Sequence, residues 1–389
     1  MTCAPRGLYG LAVLLVIVSL PIASFAQQTC LKSVDLVKKG VQIGDGSDAE
    51  ISLYREAMSL CPQMVEAHFN LGLALQRRGD LAGAEAQLRE AIKLKDDETF
   101  RVGLASVLLQ KGEVSAAREQ YDLALEKNPT SVAALQGLAV ILEKQQKLPE
   151  AISSLQKAST VDDNNHLTFF NIGVLHEKMQ HYDSALVAYR RASEINPQHF
   201  ESKYLLGMVQ MRSGNVEEAR RTLQAAAELK PDDVRVHLAL GEVYEKLGER
   251  SLAESSLRRV AQMSPQNFIA QINLGLLLID NQRYEEAITT LNRASALEPK
   301  NSRVWSALGR AQLELGHMEE AELNLRQALA LDGKNAFAHN NLGVLLQRSC
   351  RIDEATQEFE AALALNPDFA VARKNLDVAG PRYCWRFWR

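Results

Sequence analysis

Alanine recurs at a fixed interval along most of this chain, and this interval constrains the fold more than any other feature. The series is unbroken at Ala117, Ala151, Ala185, Ala219, Ala253, Ala287, Ala321 and Ala355. Glycine keeps the same interval at Gly173, Gly207, Gly241, Gly275, Gly309 and Gly343. A fixed period of roughly 34 residues is typical of helical repeat proteins, in which one supersecondary unit is stacked many times.

Residues 267–300 illustrate one unit. Apolar side chains recur there at three- and four-residue spacing, the pattern is interrupted near Asp280, and Pro299 closes it. This predicts two amphipathic helices and two turns. Gly275 and Ala287 fall where the paired helices would cross closely, because larger side chains would push them apart. Aromatic residues make up only 6% of the chain, while the abundant alanine and leucine favour helix.

The pattern resembles the tetratricopeptide repeat family. Its signature of a leucine-glycine pair followed by alanine, an aromatic residue or leucine, alanine and proline is met by Ala185, Tyr189, Ala192 and Pro197. The resemblance covers about residues 31–375 and implies an all-α fold, a right-handed superhelical solenoid of antiparallel helix hairpins. Nine full repeats, spanning residues 65–369, are expected to begin near Val65, Glu98, Val132, His166, Phe200, Val234, Phe268, Ser302 and Ala336.

The two ends of the array depart from the signature. Residues 27–64 keep Tyr54, Ala57 and Pro62 but lack the leucine-glycine pair, so we expect a degenerate capping repeat there. Residues 370–380 are expected to form a C-terminal cap helix. The final segment, residues 381–389, is basic and aromatic. This composition is consistent with two alternatives. The segment is either a tail that docks on a membrane surface or on a partner protein, or it is an unstructured end.

Residues 1–26 have the layout of a secretory signal peptide. Arg6 is their only charged residue, an apolar run follows from Leu8 to Leu20, and small residues precede the expected cleavage after Ala26. An uncleaved membrane anchor is the alternative, since the apolar stretch is almost long enough to span a bilayer. We therefore predict an exported protein of the periplasm or the extracellular space, with membrane attachment only if the signal stays uncleaved or the tail docks.

Export makes disulfide bonds possible. Cys30 lies at the start of the first helix and Cys61 at the end of its antiparallel partner, so the hairpin brings them together and we predict a disulfide between them. Cys350 and Cys384 are separated by the same interval as the alanines. Whether that second pair forms is left open, because Gly380 and Pro381 interrupt the repeat between them.

No residue pattern predicts an enzyme, a metal site or a cofactor. His176 and His181 lack a third ligand at zinc spacing. The glycines between residues 40 and 46 lack the Gly-Lys-Ser/Thr of a phosphate-binding loop, and the acidic residues there lack the length of a calcium loop. A net charge of -4 gives no electrostatic reason to expect nucleic acid.

The family resemblance also implies a binding groove. In such proteins the second, fifth, sixth, ninth and twelfth residues of each unit line the concave face. Among the residues at these positions we select ten candidate groove residues: Phe69, Asn70, Phe170, Asn171, Tyr204, Met208, Ile272, Asn273, Phe337 and Asn341. Apolar and amide side chains together suit an extended peptide or an amphipathic helix. For the aliphatic residues, packing between adjacent helices is the alternative.

Two hypotheses on function follow. The first is a non-catalytic scaffold or adaptor of the cell envelope that binds peptide segments or helices of protein partners in its groove. The second is an accessory subunit that presents substrate to a separate enzyme, such as a glycosyltransferase or a secretion complex. The sequence does not name the partner, because a repeat fold specifies a surface rather than a function.

Overall fold

The computed structural model describes residues 20–379, with side chains from Thr29 onward. Within these residues the chain forms 21 α-helices and no strands, which confirms the prediction of an all-helical repeat fold. Most of the predicted signal peptide, the tail and Cys384 lie outside the described residues. None of the described helices combines the length and apolarity needed to cross a membrane.

The chain divides into two compact units between Asn196 and Pro197. The helices of unit 1 are α1 (Leu20–Ile43), α2 (Asp48–Leu60), α3 (Val65–Arg78), α4 (Leu81–Leu94), α5 (Glu98–Gln110), α6 (Val114–Lys127), α7 (Val132–Lys144), α8 (Leu148–Val161), α9 (His166–Lys178) and α10 (Tyr182–Ile195).

The helices of unit 2 are α11 (Phe200–Arg212), α12 (Val216–Leu229), α13 (Val234–Lys246), α14 (Arg250–Met263), α15 (Phe268–Asp280), α16 (Tyr284–Leu297), α17 (Ser302–Leu315), α18 (Met318–Leu331), α19 (Ala336–Arg348), α20 (Ile352–Leu365) and α21 (Ala370–Asp377). We call the odd-numbered helices A helices and the even-numbered ones B helices. From α3 to α19, the A helices begin at the nine residues where the sequence places the repeat starts.

Each A helix packs against the B helix that follows it, and glycine makes this approach possible. A Cβ atom on Gly275 would lie 2.6 Å from the side chain of Leu291, and one on Gly343 would lie 2.6 Å from the ring of Phe359. Leu291 and Phe359 are fully buried. The glycine of the A helix therefore creates the space that the large B-helix side chain fills.

A recurring hydrogen bond ties the start of an A helix to the turn before it. In six A helices the fourth residue donates to the carbonyl oxygen six residues earlier; Trp305 Nε1, for example, donates to Pro299 O at 2.8 Å. The other five donors are His68, His237, Gln271, His339 and Arg373. Leu135 and Phe169 occupy the same position without a donor group. A turn carbonyl is thus satisfied in most repeats, as a partly buried backbone group requires.

The N-terminal hairpin has its own bonding pattern. The structure joins Cys30 and Cys61 by a disulfide bond, with their Cα atoms 5.1 Å apart. The fully buried carboxylate of Glu50 accepts hydrogen bonds from Gly46 N, Tyr54 Oη and the guanidinium of Arg77. Burial, and then the charge of Glu50, raise the pKa of Tyr54 well above its usual value. These bonds hold the loop before α2 against α3 and so support the first hairpin, which lacks the leucine-glycine pair.

Candidate binding faces

The A helices form the inner face of each unit. Within a unit, several pairs of consecutive A helices contact each other directly; α3 contacts α5, and α15 contacts α17. Each B helix, in contrast, packs mainly on the A helix before it and the A helix after it. Hairpins that lie closer together on the A side than on the B side curve towards the A side. The side chains that project from the A helices therefore line a concave face in each unit.

On the inner face of unit 1, α3 and α9 carry four of the candidate residues. Phe69 is half-buried, and its ring lies 4.8 Å from that of Phe100. Asn70 uses its Nδ2 atom to donate to Glu66 O. Phe170 and Asn171 are both half-buried on α9. The side chain of Asn171 makes no hydrogen bond with any residue in the described part of the chain, so its amide can pair with a partner's backbone.

On the inner face of unit 2, α11 carries Tyr204 and Met208, both half-buried. The ring of Tyr204 stacks on Phe200 at 5.9 Å, and the guanidinium of Arg235 lies 5.1 Å from the Tyr204 ring. Farther along, Asn273 on α15 is half-buried, and its side chain has no hydrogen-bond partner among residues 29–379.

Ile272 corrects the sequence prediction. Its side chain is only 2% exposed and belongs to the core cluster of unit 2, so it cannot contact a partner. Ser306 and Asn340, at the same position of α17 and α19, are buried as well. Because α17 contacts both α15 and α19 directly, a side chain at the fifth position is enclosed between neighbouring A helices. Packing rather than binding explains this isoleucine.

The last A helices of unit 2 carry an aromatic and amide surface. Phe337 is 65% exposed, and its ring meets that of Phe369 edge-on with centroids 5.0 Å apart. Asn375 Nδ2 donates to Asn340 Oδ1 at 2.9 Å, and Asn340 Nδ2 lies 3.4 Å from Asn341 Oδ1. Phe369 and Asn375 were missed by the sequence prediction. Asn375 follows Asn341 by one full repeat, which was the available signal.

The inner face of unit 2 also carries charged side chains. Burial raises the pKa of Glu245, and the nearby charge of Glu242 adds to this effect. Arg310 pairs with Asp280 at 3.0 Å. A partner bound there would meet aromatic and apolar groups on α11, charges of both signs on α13 and α17 with Asn273 between them on α15, and aromatic and amide groups at the α19 end.

The fold and these inner faces define a helical repeat protein of the tetratricopeptide class. Residues 173–377, more than half of the chain, match the family described as the C-terminal domain of cilia and flagella-associated protein 70. The protein belongs to this family of tetratricopeptide repeat proteins. Residues 65–98 and 102–164 match two further families, each described as tetratricopeptide repeat.

Curated relatives match shorter stretches. A photosystem I assembly protein, Ycf3 of Synechococcus sp. (strain CC9605), is 33% identical over 87 residues, which are 21% of this chain and 50% of the relative. A TPR repeat-containing protein of Pseudomonas aeruginosa is 40% identical over 74 residues, 19% of this chain and 30% of the relative. The chain thus spans half or less of the length of these two relatives.

Solved structures share the helical repeat. YrrB, described as a TPR protein with an unusual peptide-binding site, is 20% identical with a TM-score of 0.44 and covers 47% of this chain and 95% of its own. PilF of Pseudomonas aeruginosa is 21% identical with a TM-score of 0.48 and covers 53% of this chain and 95% of its own.

His176 and His181 lie close together, with ring centroids 6.1 Å apart, but in the described residues no third metal-ligating side chain joins them. The Nδ1 atom of His176 is buried, and residues 29–379 offer it no hydrogen-bond partner. Burial, and then the charge of His181, lower the pKa of His176 from 6.5. His176 is the eleventh residue of its A helix, and most other A helices have leucine at the eleventh position, for example Leu142 and Leu278.

Replacing His176 with leucine should therefore stabilise the protein. An unpaired buried nitrogen costs roughly 1–3 kcal/mol, so we expect His176→Leu to gain about 1 kcal/mol at pH 7. Because the folded pKa lies below the unfolded one, protonation favours the unfolded chain, and the wild type loses stability as the pH falls below 6.5. Urea unfolding at pH 7.5 and 5.5 measures both effects.

His176→Leu should lose this part of the pH dependence. His317→Gln should keep it, because His317 lies in the exposed turn between α17 and α18, at the repeat position of His181 rather than that of His176. An equal loss of stability on acidification in the wild type and in His176→Leu would show that His176 is not the group responsible.

Proposed function

We propose that this protein is a non-catalytic scaffold or adaptor of the cell envelope that binds peptide segments or helices of protein partners on its inner faces. The observation that carries this proposal is the unpaired amide of Asn171 beside the half-buried ring of Phe170, an arrangement that Asn273 extends to unit 2. Amides hydrogen-bond to a peptide backbone, while apolar surface between them receives its side chains.

Aromatic anchors dominate such interfaces. The ring of Phe337 is mostly exposed, although burial of a phenylalanine is strongly favourable, and it lies beside Phe369 and the linked amides of Asn341, Asn340 and Asn375. Membership of a tetratricopeptide repeat family is consistent with this assignment.

Binding to a partner should depend on the inner faces. We expect Phe170→Ala and Phe337→Ala each to weaken capture of the native partner about tenfold or more, since a central aromatic anchor contributes about 2 kcal/mol. Leu323→Ala is the matched control, because Leu323 is 70% exposed on the B helix α18, away from the inner face. Quantitative affinity capture from the native source, with tagged wild type and variants, measures the effect.

Both aromatic variants must first show wild-type helicity. If one protein is lost with the inner-face variants and kept with Leu323→Ala, the inner face binds it. Identification of that protein as an enzyme, such as a glycosyltransferase, would favour the accessory-subunit hypothesis. Equal retention by all variants would contradict inner-face binding.

The envelope location forms part of the proposal. The Cys30–Cys61 bond supports it, because structural disulfides persist in oxidising compartments. We expect the mature protein to begin at Gln27, with residues 1–26 removed on export. Mass spectrometry of the protein purified from its native source measures this terminus. An intact signal in the membrane fraction indicates an anchor instead, and recovery from the cytoplasm contradicts export.

A further inference from the structure

The outer face of unit 1 contains a second candidate site, separate from the inner faces. A cleft of about 640 Å³ opens where the B helices α8 and α10 flank the A helix α9. Phe169, Ile172, Val187 and Ala188 form its apolar part, and its charged lining consists of Arg190, Arg191 and Glu194. Its volume lies within the range of sites that hold small ligands or single peptide side chains.

The residues that line this cleft can be compared with those at the equivalent positions of the other repeats. In six A helices the fourth residue donates a hydrogen bond to the turn carbonyl, whereas α9 has Phe169 at this position. Where most A helices place leucine at the eleventh position, α9 has His176, whose Nδ1 atom has no partner among the described residues. Val187 is 65% exposed on α10, at a position that is polar in six of the nine repeats. Three departures from the repeat thus converge on one cleft.

Arg191 retains donors for a ligand. It lies 3.8 Å from Glu194, which is beyond hydrogen-bond distance, and its bond to Asp163 O is long at 3.4 Å. Its guanidinium also lies 5.8 Å from the Phe169 ring, and 43% of its side chain is exposed. Unit 2 has arginines at the same repeat position, Arg259 and Arg293. Of these, Arg259 donates to Pro231 O at 2.8 Å and pairs with Asp232 at 3.5 Å.

We propose that this outer cleft binds a segment of a protein partner in which an aromatic or aliphatic side chain adjoins a carboxylate. The apolar side chain packs on Phe169 and Val187, and the carboxylate accepts hydrogen bonds from Arg191. Arginine suits this role because its planar donors match a carboxylate. With two arginines and one glutamate, the charged lining is net positive beside the apolar part, and this charge favours an acidic segment. This interaction is independent of the inner faces and adds a second, outward-facing contact to the scaffold.

The test uses the whole protein and a defined probe. The probe is the capped pentapeptide Gly-Phe-Glu-Phe-Gly, and its counterpart has glutamine in place of the glutamate. Methyl resonances of Val187 report binding by nuclear magnetic resonance at millimolar peptide. We expect saturable shifts at Val187, with the glutamine peptide bound about fivefold more weakly, as loss of one charge-assisted contact at a partly exposed site predicts.

Arg191→Gln should abolish the preference for the acidic peptide, while Arg259→Gln, a counterpart in unit 2, should leave the preference unchanged. Equal thermal stability of the two variants separates binding from folding. Equal binding of both peptides by the wild type, or no shift at Val187, overturns the proposal. Tighter binding of octanoate than of the acidic peptide also overturns it, since the cleft would then serve a free amphipathic acid. Phe337→Ala should not change any of these results, whether or not the inner faces bind a partner.

Discussion

Gly137→Asn should lower the free energy of unfolding of unit 1 by about 3 kcal/mol. The loss is expected even though Gly137 is the sixth residue of its A helix, the position at which Asn70 and Asn171 lie in other repeats. A Cβ atom at Gly137 would lie 2.2 Å from Cζ and 2.6 Å from Oη of Tyr121. Tyr121 is only 4% exposed and has little room to move. The gain in helix propensity over glycine, about 0.5 kcal/mol, is too small to compensate.

The close approach of Tyr121 to Gly137 originates one repeat earlier, in α5 and α6. In α5 the residue that is usually the helix-crossing glycine is Ala105, which is fully buried. The ring of Tyr121 on α6 therefore reaches towards the next A helix, α7, where Gly137 leaves space for it. Ala105, Tyr121 and Gly137 form a compensating set, and the asparagine series is interrupted here for a packing reason. Circular dichroism monitored during urea unfolding measures the predicted loss.

Two controls separate this clash from a general effect of asparagine. Gly333→Asn, in an exposed turn where the nearest atom is Leu329 O at 3.7 Å, should change stability by less than about 0.5 kcal/mol. In a Tyr121→Leu background, Gly137→Ala should cost at least about 1 kcal/mol less than in the wild type, because the two sites interact directly. Additive effects of Tyr121→Leu and Gly137→Ala would rule out the proposed contact.

The sequence was sufficient to predict the repeated helices because the same side chains recur at the same place in each unit. Ala287 and Leu291 are each fully buried, and each has an equivalent in almost every repeat. Chance cannot maintain such a register, so periodicity alone indicates which helix faces form the core.

The inner faces were harder to predict, because exposure depends on how closely neighbouring A helices approach. Phe170 is half-buried and Ile272 fully buried, although both hold the fifth position of their helices. A position within a repeat fixes the direction of a side chain but not the distance to the next repeat. The outer cleft was not predicted at all, since Phe169, His176 and Val187 become neighbours only when α8, α9 and α10 assemble.

Loss of the Cys30–Cys61 disulfide should destabilise the N-terminal hairpin by about 3–4 kcal/mol, on the chain-entropy estimate for a loop of this length. The two cysteines are 31 residues apart. The sequence prediction placed Cys30 at the start of the first helix, but α1 begins at Leu20, so the bond joins the middle of α1 to the residue that follows α2. This hairpin lacks the leucine-glycine pair, and within residues 20–379 a neighbouring hairpin packs on one side of it only, so it has fewer packing contacts to compensate. Hydrogen exchange with and without reductant measures the change hairpin by hairpin.

Cys350→Ser is the matched control, because Cys350 is exposed in a turn of unit 2 and its loss should leave exchange in α1 and α2 unchanged. In Cys30→Ser/Cys61→Ser, exchange should accelerate in α1 and α2 first and reach α3 only in part, since Glu50 still binds Arg77 across that boundary. Adding Glu50→Gln should then extend the fast exchange into α3. If the double serine variant exchanges like the wild type, the buried Glu50 network, rather than the disulfide, stabilises this end of the protein.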